Sequence, residues 1–182
     1  MIDVIVFIVL SIPVVILSWR TLFSFRNHGL YRFVAWECIL WLAVKNYSYW
    51  FTEPFSLSQI LSWAFLFYAL YLAVAGAILL RHIGKADTER KDGTLYAFEK
   101  TTQLVETGLY RYIRHPLYAS LVFLAWGVLF KHTDYVLIII AAVASVFLFI
   151  TMKIEEKENI RYFGESYRDY ISRTKMFIPF LV

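Results

Sequence analysis

The chain has 182 residues, 60% of them hydrophobic and 19% aromatic, with a mean hydropathy of +0.59 and a formal net charge of +4. A soluble domain of this size is usually less than half apolar, so the composition excludes an ordinary water-soluble domain. It predicts an all-α integral membrane protein with a single domain over residues 1–182.

Five apolar stretches follow one another at about 4–19, 33–51, 57–80, 117–130 and 135–152. A helix rises ~1.5 Å per residue and a bilayer core takes ~20 residues, so each is read as a transmembrane span. The first lacks a basic leader and a small-residue cleavage site, which predicts a retained span. Pro13 lies inside it and predicts a kink. The fourth is short and reaches working length only if its helix begins at Arg114–Pro116, where Pro116 suits a first turn. The loop before it carries two turn-like runs, Gly84-Lys85-Ala86-Asp87 and Lys91-Asp92-Gly93. After span five, Phe163, Tyr167, Tyr170 and Ile171 recur at helical spacing. They predict a C-terminal amphipathic helix on the cytoplasmic membrane surface, either an anchor or a lid.

Charge orients the spans. Arg20, Arg26 and Arg32 fall in the first loop. Arg81, Lys85, Arg90, Lys91, Lys100, Arg111 and Arg114 fall in the third. Lys153, Lys157, Arg161, Arg168, Arg173 and Lys175 fall in the tail. Sixteen of the eighteen lysines and arginines therefore share one side, leaving Lys45 and Lys131 on the other. The positive-inside rule makes that side cytoplasmic, with the N-terminus outside and the C-terminus in the cytosol.

Two polar clusters bracket the last hairpin. Gly108–Tyr118 brings Arg111, Arg114, His115, Pro116 and three tyrosines to the start of span four, and Glu155-Glu156 follows span five. Acidic residues there oppose the helix dipole unless the helix continues, and they repel anionic headgroups. Intrahelical pairing of Lys153 with Glu156 is the bland account. A ligand carrying a carboxylate, an amine, hydroxyls and a flat ring is the functional one. In span two, Glu37, Trp41 and Lys45 stand at i, i+4 and i+8 on one stripe. The stripe either sits at the interfaces or lines a headgroup site, with Glu37 on the substrate side. One cysteine, Cys38, excludes an internal disulfide, and His28, His82, His115 and His132 lack metal-ligand spacing, so no metal is expected. The seven glycines form no GxGxxG or Walker pattern, which excludes a Rossmann nucleotide fold. No arginine-rich tail points to nucleic acid.

The stretch Leu104-Val105-Glu106-Thr107-Gly108-Leu109-Tyr110-Arg111-Tyr112-Ile113-Arg114-His115-Pro116-Leu117-Tyr118, then Glu155-Glu156 and Phe163-Gly164-Glu165-Ser166-Tyr167, resembles the isoprenylcysteine carboxyl methyltransferase and phospholipid methyltransferase superfamily. The resemblance covers roughly residues 80–180, and the cofactor-binding part it implies is about 81–182. It implies a membrane methyltransferase dependent on S-adenosylmethionine. Carried over by match, the cofactor contacts are Thr102, Gln103, Leu104, Val105, Tyr110, His115, Pro116, Leu117, Tyr118 and Glu155. His115, with Arg114 beside it, suits the methionyl carboxylate. Glu155 suits the ribose hydroxyls or the amine, and Tyr110 and Tyr118 suit the adenine or the sulfonium. Arg114 and Glu156 are the catalytic candidates, Glu156 as a base where the acceptor must lose a proton.

This chain departs from the family pattern at three places. Thr102 stands where many members have histidine, and Ser120 where glycine is frequent. Thr151 occupies the place of an arginine that prenylcysteine-specific members assign to substrate. The expected partner is an amphiphilic or lipid methyl acceptor entering from the bilayer. Prenylcysteine-like O-methylation, phospholipid N-methylation and small-thiol S-methylation remain open. A sensor that keeps the fold would need no intact Arg114-His115-Pro116 and Glu155-Glu156, and five short spans without a polar central pathway argue against a transporter.

Overall fold

A computed structural model describes residues 1–19, 22, 28–84 and 101–177. Both turn-like loop runs fall outside the described residues beyond Gly84, as do Arg20, Arg26, Arg90 and Lys100 of the charge pattern. Six α-helices appear among the described residues: α1 Ile2–Ser18, α2 His28–Asn46, α3 Leu57–Ile83, α4 Pro116–Leu129, α5 Tyr135–Phe163 and α6 Glu165–Arg173. Short 3-10 turns cover Tyr47–Tyr49 and Gly108–Arg111. No strand forms among the described residues; a single parallel bridge pairs Ile113 with Lys175.

The five expected apolar stretches each carry a helix, but the boundaries move. α1 runs unbroken through Pro13. α2 begins at His28 and ends at Asn46, about one turn earlier than its apolar content suggested. Two interactions explain the shift. His28 and Arg32 are buried rather than left in a loop, and the Asn46 side chain donates to the Val128 carbonyl at 2.9 Å. α4 starts at Pro116 in its first turn, as the missing N–H favours. At 14 residues it is ~21 Å long. α5 is capped by Asp134, which accepts from the Val136 N–H at 2.8 Å, and continues for 29 residues. Glu155 and Glu156 therefore lie inside a continuous helix, and its dipole does not oppose them.

α2, α4 and α5 pack against one another at the centre; α3 flanks α4 and α1 flanks α2. Small residues set the spacing. Ala125, Ala141 and Ala144 are fully buried in a cluster with Ile39, Leu42, Val128, Leu129 and Leu137. A Cβ on Gly127 would meet Leu66 at 3.0 Å, so α3 and α4 touch nearly backbone to backbone, the way helices associate in lipid. The Ser62 hydroxyl fastens the same contact, donating to the Gly127 carbonyl at 2.6 Å.

α1 joins α2 as an antiparallel ladder built on the stripe of span two. Lys45 pairs with Asp3 at 2.8 Å, the Trp41 ring meets Phe7 edge-on at 5.1 Å, and Glu37 accepts from Ser11 at 2.6 Å. Each rung is four residues from the next on both helices, the condition for one face to meet one face.

α3 and α5 are long and apolar enough to cross a membrane, and only 17% and 33% of their most apolar windows are buried. The core helix of a soluble protein would be mostly covered. Here Ile60, Phe67, Leu70, Val74, Ile78, Ile139, Val146 and Phe149 face outward. Apolar surface of that extent is stable in lipid and costly in water. The molecule is a membrane protein.

Candidate functional site

Local backbone geometry builds the site. Gly108 has φ +59° and lies against Leu79 of α3, so the turn into Tyr110 requires a residue without Cβ. Gly164, at φ 64° and ψ −136°, reverses the chain between α5 and α6 in a region open only to glycine. That reversal lays α6 back over the end of α5. Tyr167 and Tyr170 are consequently buried, and the amphipathic helix covers a cleft with its apolar face.

The tail then stitches the two polar clusters together. The Arg114 N–H donates to the Lys175 carbonyl at 2.8 Å, the His115 N–H to Met176 at 3.0 Å, and the Lys175 N–H to Tyr112 at 2.9 Å. The Arg114 guanidinium donates to the carbonyls of Thr174 and Ile171 through Nη1 and to Glu156 Oε1 through Nε, the last at 2.7 Å. Tyr170 donates its hydroxyl to the Tyr110 carbonyl at 2.6 Å. Burial pushes the Tyr167 and Tyr170 phenols above their ordinary range, with Glu155 adding to the effect at Tyr167 and Tyr167 at Tyr170. Both stay neutral and form apolar walls, Tyr170 as a donor to the Tyr110 carbonyl and Tyr167 as an acceptor from Asn159 Nδ2 at 3.5 Å.

The resulting cleft encloses about 610 Å³ with its open mouth and the adjoining solvent included. His115 and Glu155, forty residues apart in sequence, line the same cleft. So do Leu104, Val105, Tyr110, Arg114, Pro116, Leu117 and Tyr118. His115 Nε2 and Glu155 Oε2 are buried in its wall without a partner at full hydrogen-bond geometry among the described residues; Glu156 Oε1 stands 3.7 Å from the first, and the Tyr118 hydroxyl acts on Glu155. A buried acceptor left unmatched is costly, and a ligand that donates to it recovers the cost.

The other candidates stand elsewhere. Thr102 and Gln103 are not among the residues lining the cleft; their N–H groups both donate to the Gly84 carbonyl, at 3.0 and 3.3 Å. Glu156 is buried behind the cleft wall, with Arg114 at 2.7 Å, Lys153 at 3.3 Å and His115 Nε2 at 3.7 Å. The intrahelical Lys153–Glu156 pair thus exists beside the cross-chain one. Thr151 is fully buried one turn before Glu155, and its hydroxyl donates to the Phe147 carbonyl at 2.8 Å. Glu37 lies against α1.

Three lining residues escaped the sequence reading, Leu80, Thr101 and Asn159, while Phe163, Tyr167 and Tyr170, read there as the face of an anchor or lid helix, line the cleft as well. Asn159 was accessible in principle, since it stands one turn beyond Glu155 on the same helical face. Leu80 and Thr101 come from segments whose approach no local pattern signals.

A membrane-embedded helical bundle with a polar, aromatic-walled cleft formed by the two ends of its last hairpin is the class of protein these features define. Residues 65–166, more than half of the chain, match the family described as Phospholipid methyltransferase. The chain belongs to that family, whose superfamily its motif resembled. It is also similar to methanethiol S-methyltransferase 1 of Bradyrhizobium diazoefficiens, at 34% identity over 71 residues, which is 39% of this chain and 24% of the relative. The methanethiol S-methyltransferase of Crocosphaera subtropica is 31% identical over 75 residues, 40% of this chain and 28% of its own. That of Pseudomonas deceptionensis is 29% identical over 73 residues, 40% and 27% respectively. These matches span about a quarter of each relative's length. No solved structure matches the chain.

Proposed function

We propose that this protein is an integral-membrane methyltransferase that takes its methyl group from S-adenosylmethionine and delivers it to a lipophilic acceptor arriving from the bilayer. The observation that carries the reading is the convergence of His115 and Glu155, each with an unmatched buried polar atom, in one cleft walled by Tyr110, Tyr118, Tyr167 and Tyr170. Membership of a methyltransferase family supports it.

The donor set fits the cofactor. Glu155 Oε2 accepts from an amine or ribose hydroxyl, and His115 Nε2 meets a carboxylate when protonated. The tyrosine faces suit adenine and a sulfonium. Leu104, Val105, Pro116 and Leu117 supply the apolar walls. When bound, the cofactor supplies an electrophilic methyl group. The chain supplies position and the exclusion of water, which is most of what in-line transfer requires. α6 does the second, covering the cleft with Tyr167 and Tyr170. Glu156, clamped by Arg114, fixes the distance between the α4 start and α5; it supports the wall rather than facing the cleft.

Five spans, with the cleft on the cytoplasmic side, fit the placement of charge. Asp3 and Lys45 lie at the end of the α1–α2 ladder remote from His28, and the cleft end collects Arg32, Arg114, Lys153 and Arg173. A second reading of the acceptor, a small thiol, is favoured by the three similar proteins that carry the name methanethiol S-methyltransferase.

Titrating the solubilised protein with S-adenosylhomocysteine tests the proposal. Saturable binding, weakened in His115→Ala and Glu155→Ala variants that remain folded, is the expected result. Folded wild-type protein with no binding would eliminate it.

A further inference from the structure

Behind Glu155 lies a second set of charged groups that the cofactor reading leaves unused. His28, the first residue of α2, is completely buried, and its Nδ1 is 2.7 Å from Glu158 Oε2. Its Nε2 is buried as well and has no hydrogen-bond partner among the described residues. A histidine kept only for structure normally satisfies both ring nitrogens. One whose Nδ1–H is held by a carboxylate presents a lone pair at Nε2 when the ring is neutral, the tautomer of a general base.

α5 sets where that base stands. Glu155 and Glu158 are three residues apart and share a helical face. His28 docks on that face through Glu158, and Glu155 and Arg32 act on it electrostatically. Glu155 in turn interacts with His28, Arg32 and His115. Arg32, buried one turn along α2 from His28, lies 5.4 Å from the Trp36 ring centroid. The groups around His28 are therefore two carboxylates from α5, one guanidinium from α2 and, beyond Glu155, His115.

We propose that α2 and α5 form the acceptor subsite, that His28 takes a proton there, and that the acceptor is a thiol. The proposal rests on the methyltransferase reading of the cleft and deepens it. The proton decides the acceptor class. A carboxylate acceptor would have no proton for His28 to accept. A thiol arrives neutral, with an ordinary pKa near ~8.5, close enough to an imidazole for ready transfer; an ammonium near ~10.4 is a steeper donor. In the reaction, the thiol proton moves to His28 Nε2 and the sulfur forms a bond to the methyl carbon. The bond between that carbon and the sulfonium breaks, and its electron pair stays on the departing sulfur. The products are a methyl thioether, a neutral S-adenosylhomocysteine and an imidazolium that returns its proton to water.

The test uses full-length protein in nanodiscs, with His28→Gln and Glu158→Gln variants. S-adenosylhomocysteine binding is measured by calorimetry. Methyl transfer is followed to an alkyl thiol, to an aromatic thiol already ionised at pH 8, to an alkyl amine and to a fatty carboxylate. Both variants are expected to keep cofactor-product affinity within about twofold, which also reports their folding. Transfer to the alkyl thiol should fall about 100-fold in His28→Gln, with the aromatic thiol losing about fivefold or less. The rise of the wild-type rate with pH should vanish in that variant. Glu158→Gln should give a smaller loss of the same pattern. An equal loss on both thiols, an unchanged rate in both variants, or preferred transfer to the amine or the carboxylate would overturn the proposal. Wild-type protein that binds S-adenosylhomocysteine yet gives any of these results leaves the cofactor cleft standing; wild-type protein that does not bind it removes both.

Discussion

Each end of the bundle buries a cation, and the two are handled differently. At the cleft end, Arg114 meets the Glu156 carboxylate and three tail oxygens, and unmatched polar atoms remain close by on His115, Glu155 and His28. At the opposite end, Lys131 is 5% exposed and is held by neutral groups. Gln59 Oε1 accepts from it at 2.9 Å, and the Trp63 and Trp50 rings lie 3.7 and 5.2 Å away. The Gln59 side chain is spent further on the Tyr49 carbonyl at 2.7 Å. At the far end the ammonium itself is fully served, although Asn46 Oδ1 has no hydrogen-bond partner among the described residues and an open cleft of about 730 Å³, mouth included, lies beside Lys131 and Gln59. The cleft end differs in that its unmatched atoms, on His115 and Glu155, belong to ionisable groups lining one cleft, and a stability cost left open in such a place is what a site looks like.

That contrast can be broken by mutation. The largest effect is expected for Arg114→Ala, which leaves Glu156 buried with only Lys153 and His115 near it and releases the tail. Unfolding measured in detergent should show a loss of about 3 kcal/mol, and an unchanged stability would remove the clamp. Next, Glu155→Ala should weaken S-adenosylhomocysteine by about 10- to 100-fold, or ~1.4–3 kcal/mol, with little change in stability. If stability fell and binding did not, the cleft would belong with the far end. Lys131→Met should be milder, costing ~1–2 kcal/mol through the lost cation–π contacts and the unpaired Gln59 oxygen. Its cofactor-product affinity should match the wild type, since it lies at the other end of α4. Tyr170→Phe should cost ~1 kcal/mol by deleting the bond to the Tyr110 carbonyl. It should also flatten an alkaline limb. The folded phenol resists ionisation, so stability is whole below the unfolded value near ~10 and falls as pH rises past it; phenylalanine contributes no such fall.

The second comparison is between stripes. Glu37-Trp41-Lys45 and His115 with Glu155-Glu156 both carry charge into an apolar chain, and on sequence alone either suits a ligand. The structure gives every member of the first stripe a partner on α1, at spacings that match rung for rung. Glu37 Oε1 is also left without a hydrogen-bond partner among the described residues, so what sets the second set apart is that its unmatched atoms line one cleft. The bland and the functional accounts of a buried charge differ only in what lies opposite it, and that depends on which helix packs where.

Helix periodicity, apolar runs and the placement of lysine and arginine are local quantities, and they sufficed for an all-helical membrane bundle with two polar clusters at the ends of its last hairpin. The family motif added the cleft wall from Leu104 to Tyr118. The rest required tertiary contacts. His28 begins α2 only because Glu158 waits on α5, and α6 covers the cleft only because Gly164 turns the chain back. Thr102 and Gln103 leave the cleft because Gly84 takes their N–H groups. Side chains brought together from distant segments have no periodicity to announce them, and whether a polar atom is satisfied is settled by its neighbours in space.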